Sequence, residues 1–230
     1  MRQGYAPEAA CKEAVMRIIK KKPETAKNIQ VGFLAINKKG ELYASAKKYG
    51  KNIYRYNEQQ DKFVVYDIPI KHTAVKMLFD AKDRLWVLNT NKQLEVYSRD
   101  KNSYMLNEVY GNTAYEKGIN EIFYTNNTLF YQAEDRTLHV IDGKLQQTEI
   151  TKLPNVVLAV AFYKGHYVFS KASSGYEIYD ANFKPSSFLE NELHALQSMQ
   201  ITTLKQGNDQ SLWIGTDGDG ILRVSERQNF

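Results

Sequence analysis

An apolar-aromatic pair that opens a strand-like run returns five times along the 230 residues, and no other feature limits the fold as tightly. The copies are Leu42-Tyr43, Leu85-Trp86, Leu129-Phe130, Tyr167-Val168 and Leu212-Trp213, in steps of 43, 44, 38 and 45 residues. A period of about 40–45 residues is the length of one four-stranded propeller blade.

Each copy fills in as strands separated by Asn/Asp/Gly/Lys turns. Apolar first strands fall at 31–36, 74–80, 119–125, 156–163 and 200–205, and alternating third strands at 52–56, 94–98, 137–141, 176–180 and 221–225. Outer strands follow at 62–68, 103–109, 146–151 and 186–190, whereas the fifth copy reaches Phe230 without one. The expected fold is therefore an all-β propeller: four complete four-stranded blades plus a partial fifth, a fragment of a larger ring. Blade limits lie near 29–70, 71–114, 115–152, 153–195 and 196–230. A blade cannot bury its faces alone, so neighbours must stack. An open arc would expose apolar faces at its ends and self-associate.

Residues 1–28 stand outside the repeat. "PEAACKEAVMRIIKK" has helical spacing at Ala10, Val15, Ile18 and Ile19, with Pro23 to end it, so helix is expected only here. A remnant of a preceding blade is the other reading.

Bulk composition excludes several classes. The chain is 43% hydrophobic and 25% charged, which rules out whole-chain disorder. The net charge of +5 is spread along the chain apart from "IKKKPE", and no aromatic-basic stripe accompanies that run, so no nucleic-acid partner is expected. Cys11 is the only cysteine, which excludes an internal disulfide and a cysteine-based zinc site. No apolar run approaches a membrane span, and the start lacks the apolar core of a signal peptide.

"SLWIGTDGDGILRV" (Ser211–Val224) invites a metal or phosphate reading through its Asp-Gly-Asp-Gly. An EF-hand loop counted from Asp217 would want Glu at its twelfth place, where Gln228 stands. A phosphate loop would want Gly-Lys-Ser/Thr before a helix, and a strand follows instead. The segment reads as a hairpin between second and third strands, with Gly218 and Gly220 supplying positive φ.

"DQSLWIGTDGDGILRV" resembles the repeat of two-component regulator propellers. "AKDRLWVLNTNKQLEVYS" is a weaker copy, with Asn89 where the family carries glycine. The resemblance covers about residues 29–230 and implies the extracytoplasmic, periplasmic sensor region of a hybrid two-component system of the kind found in Bacteroidetes. It also implies detection of glycan fragments, control of polysaccharide-use genes, and a membrane-spanning parent protein carrying a histidine kinase.

Chemistry-bearing residues are sparse. No His-x-x-x-His pair or Gly-x-Ser-x-Gly elbow occurs. His139 and His166 read as surface residues, while His72 and His194 precede first strands. A propeller glycosidase would need converging carboxylates. The loops leading into first strands offer Lys71, His72, Lys117, Asn155 and Gln200, with Glu116 and Glu121 as near carboxylates. No enzymatic activity is expected of this chain, nor any metal or cofactor. Trp86 and Trp213 are expected to be buried between blades.

Binding is the leading class. The lead-in loops and second-to-third hairpins share one face, which would hold Tyr49, His72, Asn89, Asn91, Tyr115, Lys117, Arg136, Lys171 and His194. Amide, aromatic and cationic groups suit an oligosaccharide, including an acidic one. A five-bladed glycoside-binding or hydrolysing protein and an interaction scaffold are the alternatives.

Overall fold

The computed structural model describes strands at residues 33–36 and 42–45 and the whole of residues 52–101, 103–111 and 117–225. It shows a propeller-type fold, with five small antiparallel sheets among these residues, each formed by consecutive strands. The first comprises β1 (Phe33–Ile36), β2 (Leu42–Ser45), β3 (Ile53–Asn57) and β4 (Lys62–Tyr66). The second comprises β5 (Ala74–Phe79), β6 (Leu85–Asn89), β7 (Leu94–Asp100) and β8 (Ser103–Tyr110). The third comprises β9 (Ile119–Thr125), β10 (Thr128–Ala133), β11 (Thr137–Ile141) and β12 (Gln147–Lys152). The fourth has β13 (Val157–Tyr163), β14 (His166–Lys171) and β15 (Tyr176–Tyr179), and the fifth has β16 (Ile201–Gln206), β17 (Leu212–Thr216) and β18 (Ile221–Val224).

The core lies between sheets. Leu85 and Val87 pack back against Ile53 of the first sheet and Ile68 just beyond it. Their neighbours on the strand, Trp86 and Leu88, pack forward against Ile119, Ile122 and Leu129. Period-2 alternation therefore feeds two different cores, which is why β6 is buried along its whole length. Phe130 repeats the forward packing onto Tyr167 and Phe169, and Val168 repeats it onto Ile201, Leu212 and Ile214.

The fourth blade departs from the expected four strands. In place of an outer strand at 186–190, a single bridge joins Tyr179 to Pro185, and the chain turns into α1 (Glu190–Leu193) and a 3₁₀ turn at His194–Leu196. Helix is therefore not confined to the N-terminus. Pro185 has no N–H for a ladder. Leu189, Leu193 and Leu196 are spaced by four and three, a helical period, and all three are buried against β13 and β16 residues. The expected N-terminal helix lies outside the described residues.

One turn chemistry closes several hairpins. Asp80, Asp142 and Asp180 each accept hydrogen bonds at Oδ1 from the backbone N–H two and four residues on. The residue three places on takes a left-handed φ: Asp83 at 61°, Leu145 at 69° and Phe183 at 59°. This is the three-residue hairpin loop with a left-handed closing residue. Because these two bonds fix the turn, Asp142→Ala is expected to lower the denaturation midpoint slightly. An unchanged midpoint would show that the backbone closes the turn unaided.

Candidate functional site

The lead-in loops and the second-to-third hairpins do share one end of the blades, and backbone bonds tie them together. Thr90 N–H donates to Thr73 O, Glu134 N–H to Gly118 O, Ala172 N–H to Val156 O and Asp217 N–H to Gln200 O. The hairpins of blades two, three and four also meet the loop that leads into the next blade: Ile119 N–H donates to Lys92 O, Leu153 N–H to Arg136 O and Gly175 N–H to Met199 O. The repeated pattern fixes the loops to the sheets and to one another.

Blade two carries the densest polar cluster at this end. Glu95, at the start of β7, is 1% exposed. It accepts from Asn89 Nδ2 at 2.8 Å and from the Tyr97 hydroxyl. Burial pushes the Tyr97 hydroxyl far above its usual range, and the Glu95 carboxylate beside it pushes the same way. His72 Nδ1 lies 3.6 Å from Glu95 Oε1 and 3.4 Å from Asn89 Nδ2. The carboxylate is thus enclosed, while the imidazole is about a third exposed. Asn89 Oδ1 accepts from the Asn91 and Gln93 N–H groups and shapes the hairpin.

Blade four repeats the device. Glu177 accepts from Asn155 Nδ2 at 2.9 Å and from the Tyr179 hydroxyl at 3.1 Å. The Tyr179 hydroxyl is pushed up to about 12, by burial first and then by the Glu177 charge. Asn155 occupies the same place before β13 as His72 before β5. Gln132, fully buried, donates to Asn155 O and accepts from Val157 N–H, so it stitches blade three to blade four.

Of the residues singled out from sequence, His72, Asn89 and Asn91 come together in blade two. Lys117 and Arg136 stand at the lead-in loop and hairpin of blade three, both exposed, with Arg136 donating to Pro154 O at 2.5 Å. Lys171 is half-buried at the end of β14. His194 is exposed on the 3₁₀ turn, seven residues before Ile201 of β16 and not in its lead-in loop. Tyr49, Tyr115 and Glu116 lie outside the described residues. Glu121, the other carboxylate considered for hydrolysis, is paired with Lys76 at 2.6 Å. His166, expected in a surface turn, instead opens β14 half-buried and stacks on Phe188 at 4.6 Å. His139 is likewise half-buried, stacked on Tyr131 at 4.5 Å.

Glu95, Tyr97, Glu177 and Tyr179 were missed, and Asn155 was seen only as a lead-in-loop amide. A signal for them existed in the Glu-x-Tyr shared by "LEVYS" and "YEIYD". A separate cleft of 370 Å³ opens at the opposite end of the blades, lined by Asp80, Lys82, Arg84, Tyr124 and Asp142 among others. Lys82 Nζ and Arg84 both point to Gly143 O across it, and two carboxylates offset the two cations. Among the described residues no group of three or more His, Cys, Asp or Glu could hold a metal ion. No helix among them is long and apolar enough to cross a membrane.

Trp86 is fully buried, as expected, and its Nε1 donates to Asp80 at 2.9 Å. Trp213 is not buried: it is 42% exposed. Its forward-facing side has no following sheet among the described residues.

No family model matches the sequence. A 65-residue stretch, 27% of this chain, is 43% identical to part of an N(4)-(β-N-acetylglucosaminyl)-L-asparaginase from Elizabethkingia miricola and spans 19% of that protein. In fold, the chain is similar to the extracellular domain of a hybrid two-component system from B. thetaiotaomicron, with a TM-score of 0.62 and 17% identity. That likeness covers 90% of this chain and 28% of the larger one. The chain is also similar to virginiamycin B lyase from Staphylococcus aureus, at a TM-score of 0.58 and 14% identity, covering 88% of this chain and 73% of the lyase. These likenesses establish the propeller-type fold, and the chain spans 28% of the extracellular domain and 19% of the asparaginase it matches.

Proposed function

We propose that this chain is the ligand-sensing propeller portion of an extracytoplasmic receptor of a hybrid two-component system, and that it binds glycan fragments without turning them over. The observation that carries the reading is the fold similarity to such an extracellular domain across 90% of the chain. The Trp-Ile-Gly-Thr repeat at Trp213–Thr216 supports it from the sequence side. In this reading the parent protein spans the inner membrane and regulates polysaccharide-use genes.

The interlocked hairpin face supplies the binding surface. His72, steadied by the enclosed Glu95, offers its outer ring nitrogen, while Asn91, Lys117 and Arg136 add amide and cationic donors. Sugar hydroxyls are recognised by such a small number of fixed polar groups.

A thermal-shift screen against an oligosaccharide panel tests the reading. A cognate glycan at about a hundred times its Kd should stabilise the chain by about 2.7 kcal/mol. His72→Ala should weaken that glycan about tenfold, the loss of one hydrogen bond to a charged or aligned group. Two outcomes refute the proposal: no saccharide moves the transition, or a shift is accompanied by product release. The turnover assay should include N-acetylglucosaminyl-asparagine, the compound for which the 65-residue relative is named.

A further inference from the structure

We propose that the cleft between blades two and three, at the end opposite the hairpin face, is a site for a free α-amino acid, with the ligand carboxylate between Lys82 and Arg84 and its ammonium on Asp142. The cleft holds 370 Å³. It is separate from the hairpin face, and its ligand is independent of what that face binds. Sheets one and four flank the two blades that form it, so its walls are complete among the described residues.

Two hairpins make the walls. The β5–β6 hairpin brings Lys82 and Arg84, and the β11–β12 hairpin brings Asp142 and Gly143. Lys82 Nζ donates to Gly143 O at 2.9 Å, and Arg84 Nη1 lies 3.5 Å from the same oxygen. Two cations therefore stand side by side over one neutral acceptor. Arg84 is held in place: its Nε is paired with Asp80 at 2.5 Å, and its guanidinium lies over the Trp86 ring at 5.3 Å. Asp80 itself is fully used. Its Oδ1 takes the Lys82 and Arg84 backbone N–H groups, and its Oδ2 takes Arg84 Nε and Trp86 Nε1. The second terminal nitrogen of Arg84 and the remaining Lys82 donors have no partner among the described residues. Together they can grip a carboxylate.

The opposite charge is present too. Asp142 lines the cleft and is exposed. Its Oδ1 takes the Lys144 and Gln146 N–H groups, which leaves Oδ2 for a ligand. The Gln146 N–H first, then Lys144 and the Lys82 charge, hold its carboxyl below the usual carboxylate range, so it is ionised at neutral pH. A bare anion would gain the two cations but meet this carboxylate, and a bare amine would meet the reverse. A small ligand carrying both charges satisfies both sides. Leu129, Ile141 and the Tyr124 ring offer an apolar floor for its side chain, and the Tyr124 hydroxyl is fixed by Ala81 N–H at 2.6 Å. A Cβ at Gly143 would come within 3.1 Å of Lys82 Nζ, so the close approach of the ammonium suits glycine. The equivalent place between blades three and four is filled instead. There Thr128 replaces Arg84 before the aligned pair, and Phe183, at the left-handed position that Leu145 holds in blade three, lies against Phe130 and Tyr167 with ring centres 5.7 and 5.0 Å apart.

Amide NMR of the nitrogen-15-labelled chain reads the cleft through the Trp86 indole N–H and the Ala81 and Gly143 amides. The probes are L-leucine, isocaproate, which lacks the amine, isopentylamine, which lacks the carboxylate, and inorganic phosphate. Leucine should move the three signals saturably and leave the Trp213 indole fixed. Isocaproate and isopentylamine should each bind at least about tenfold more weakly. Lys82→Gln, at an exposed side chain, should weaken leucine about tenfold. Asp142→Asn keeps the turn acceptor but removes the charge, and should bring leucine down to the level of isocaproate. Three results overturn the proposal: no movement with leucine, isocaproate or phosphate binding as tightly as leucine, or either variant binding leucine like the native chain.

Discussion

Replacing Trp86 by Ala is expected to destabilise the chain by about 3–5 kcal/mol, whereas Trp213→Ala should cost no more than about 1 kcal/mol. The two residues are aligned in the repeat, so the contrast isolates tertiary environment from local sequence. Trp86 is fully buried, packs with Leu88, Ile119 and Leu129, and stacks on Tyr110 with ring centres 6.2 Å apart. Truncation leaves a cavity between two sheets and removes the Nε1 donor from Asp80, a residue 4% exposed. Trp213 meets no following sheet among the described residues. Urea denaturation followed by far-UV circular dichroism measures both variants without relying on tryptophan emission. Equal losses would mean that Trp213 is covered in solution.

Glu95→Ala should cost about 3 kcal/mol, from lost hydrogen bonds and from the donors it strands. Tyr97, fully buried, and Asn89, 1% exposed, would each keep a donor aimed at an empty site. The signature of this cause is non-additivity. Tyr97→Phe should be costly in the native chain but nearly neutral once Glu95 is already Ala, because the orphaned hydroxyl is then removed. If the two losses simply add, Glu95 and Tyr97 contribute independently and the cluster does not act as a unit.

The blade-two cluster was partly legible. His72 and Asn89 fell on the right face because lead-in loops and second-to-third hairpins must share one end of an antiparallel blade. Glu95 was invisible as a buried group. An alternating third strand marks Glu as the wet position, and here that position faces the preceding sheet's side of the core and is closed over by Asn89, His72 and Tyr97. Glu177 follows the same logic with Asn155. His194 was misplaced for a different reason: counting back from β16 assumes a tight loop, and the leucine-spaced helical turn at Glu190–Leu196 takes that space.

The sequence alone determined what repeats locally. The apolar-aromatic pair recurs because a period-2 strand buried on both faces needs large apolar groups on both sides, and the turn aspartates recur because a hairpin's backbone bonds must be closed locally. The hairpin at Asp217–Gly220 was likewise set by its glycines, found at φ of 106° and 80°. Only the tertiary structure decided what each copy packs against. Trp86 and Trp213 open nearly the same strand, "LWV" and "LWI". One is sealed because a sheet stands in front of it, and the other is open because no sheet follows it among the described residues. Burial belongs to the contact between sheets, and that contact joins residues about 40 positions apart, beyond the reach of any local pattern.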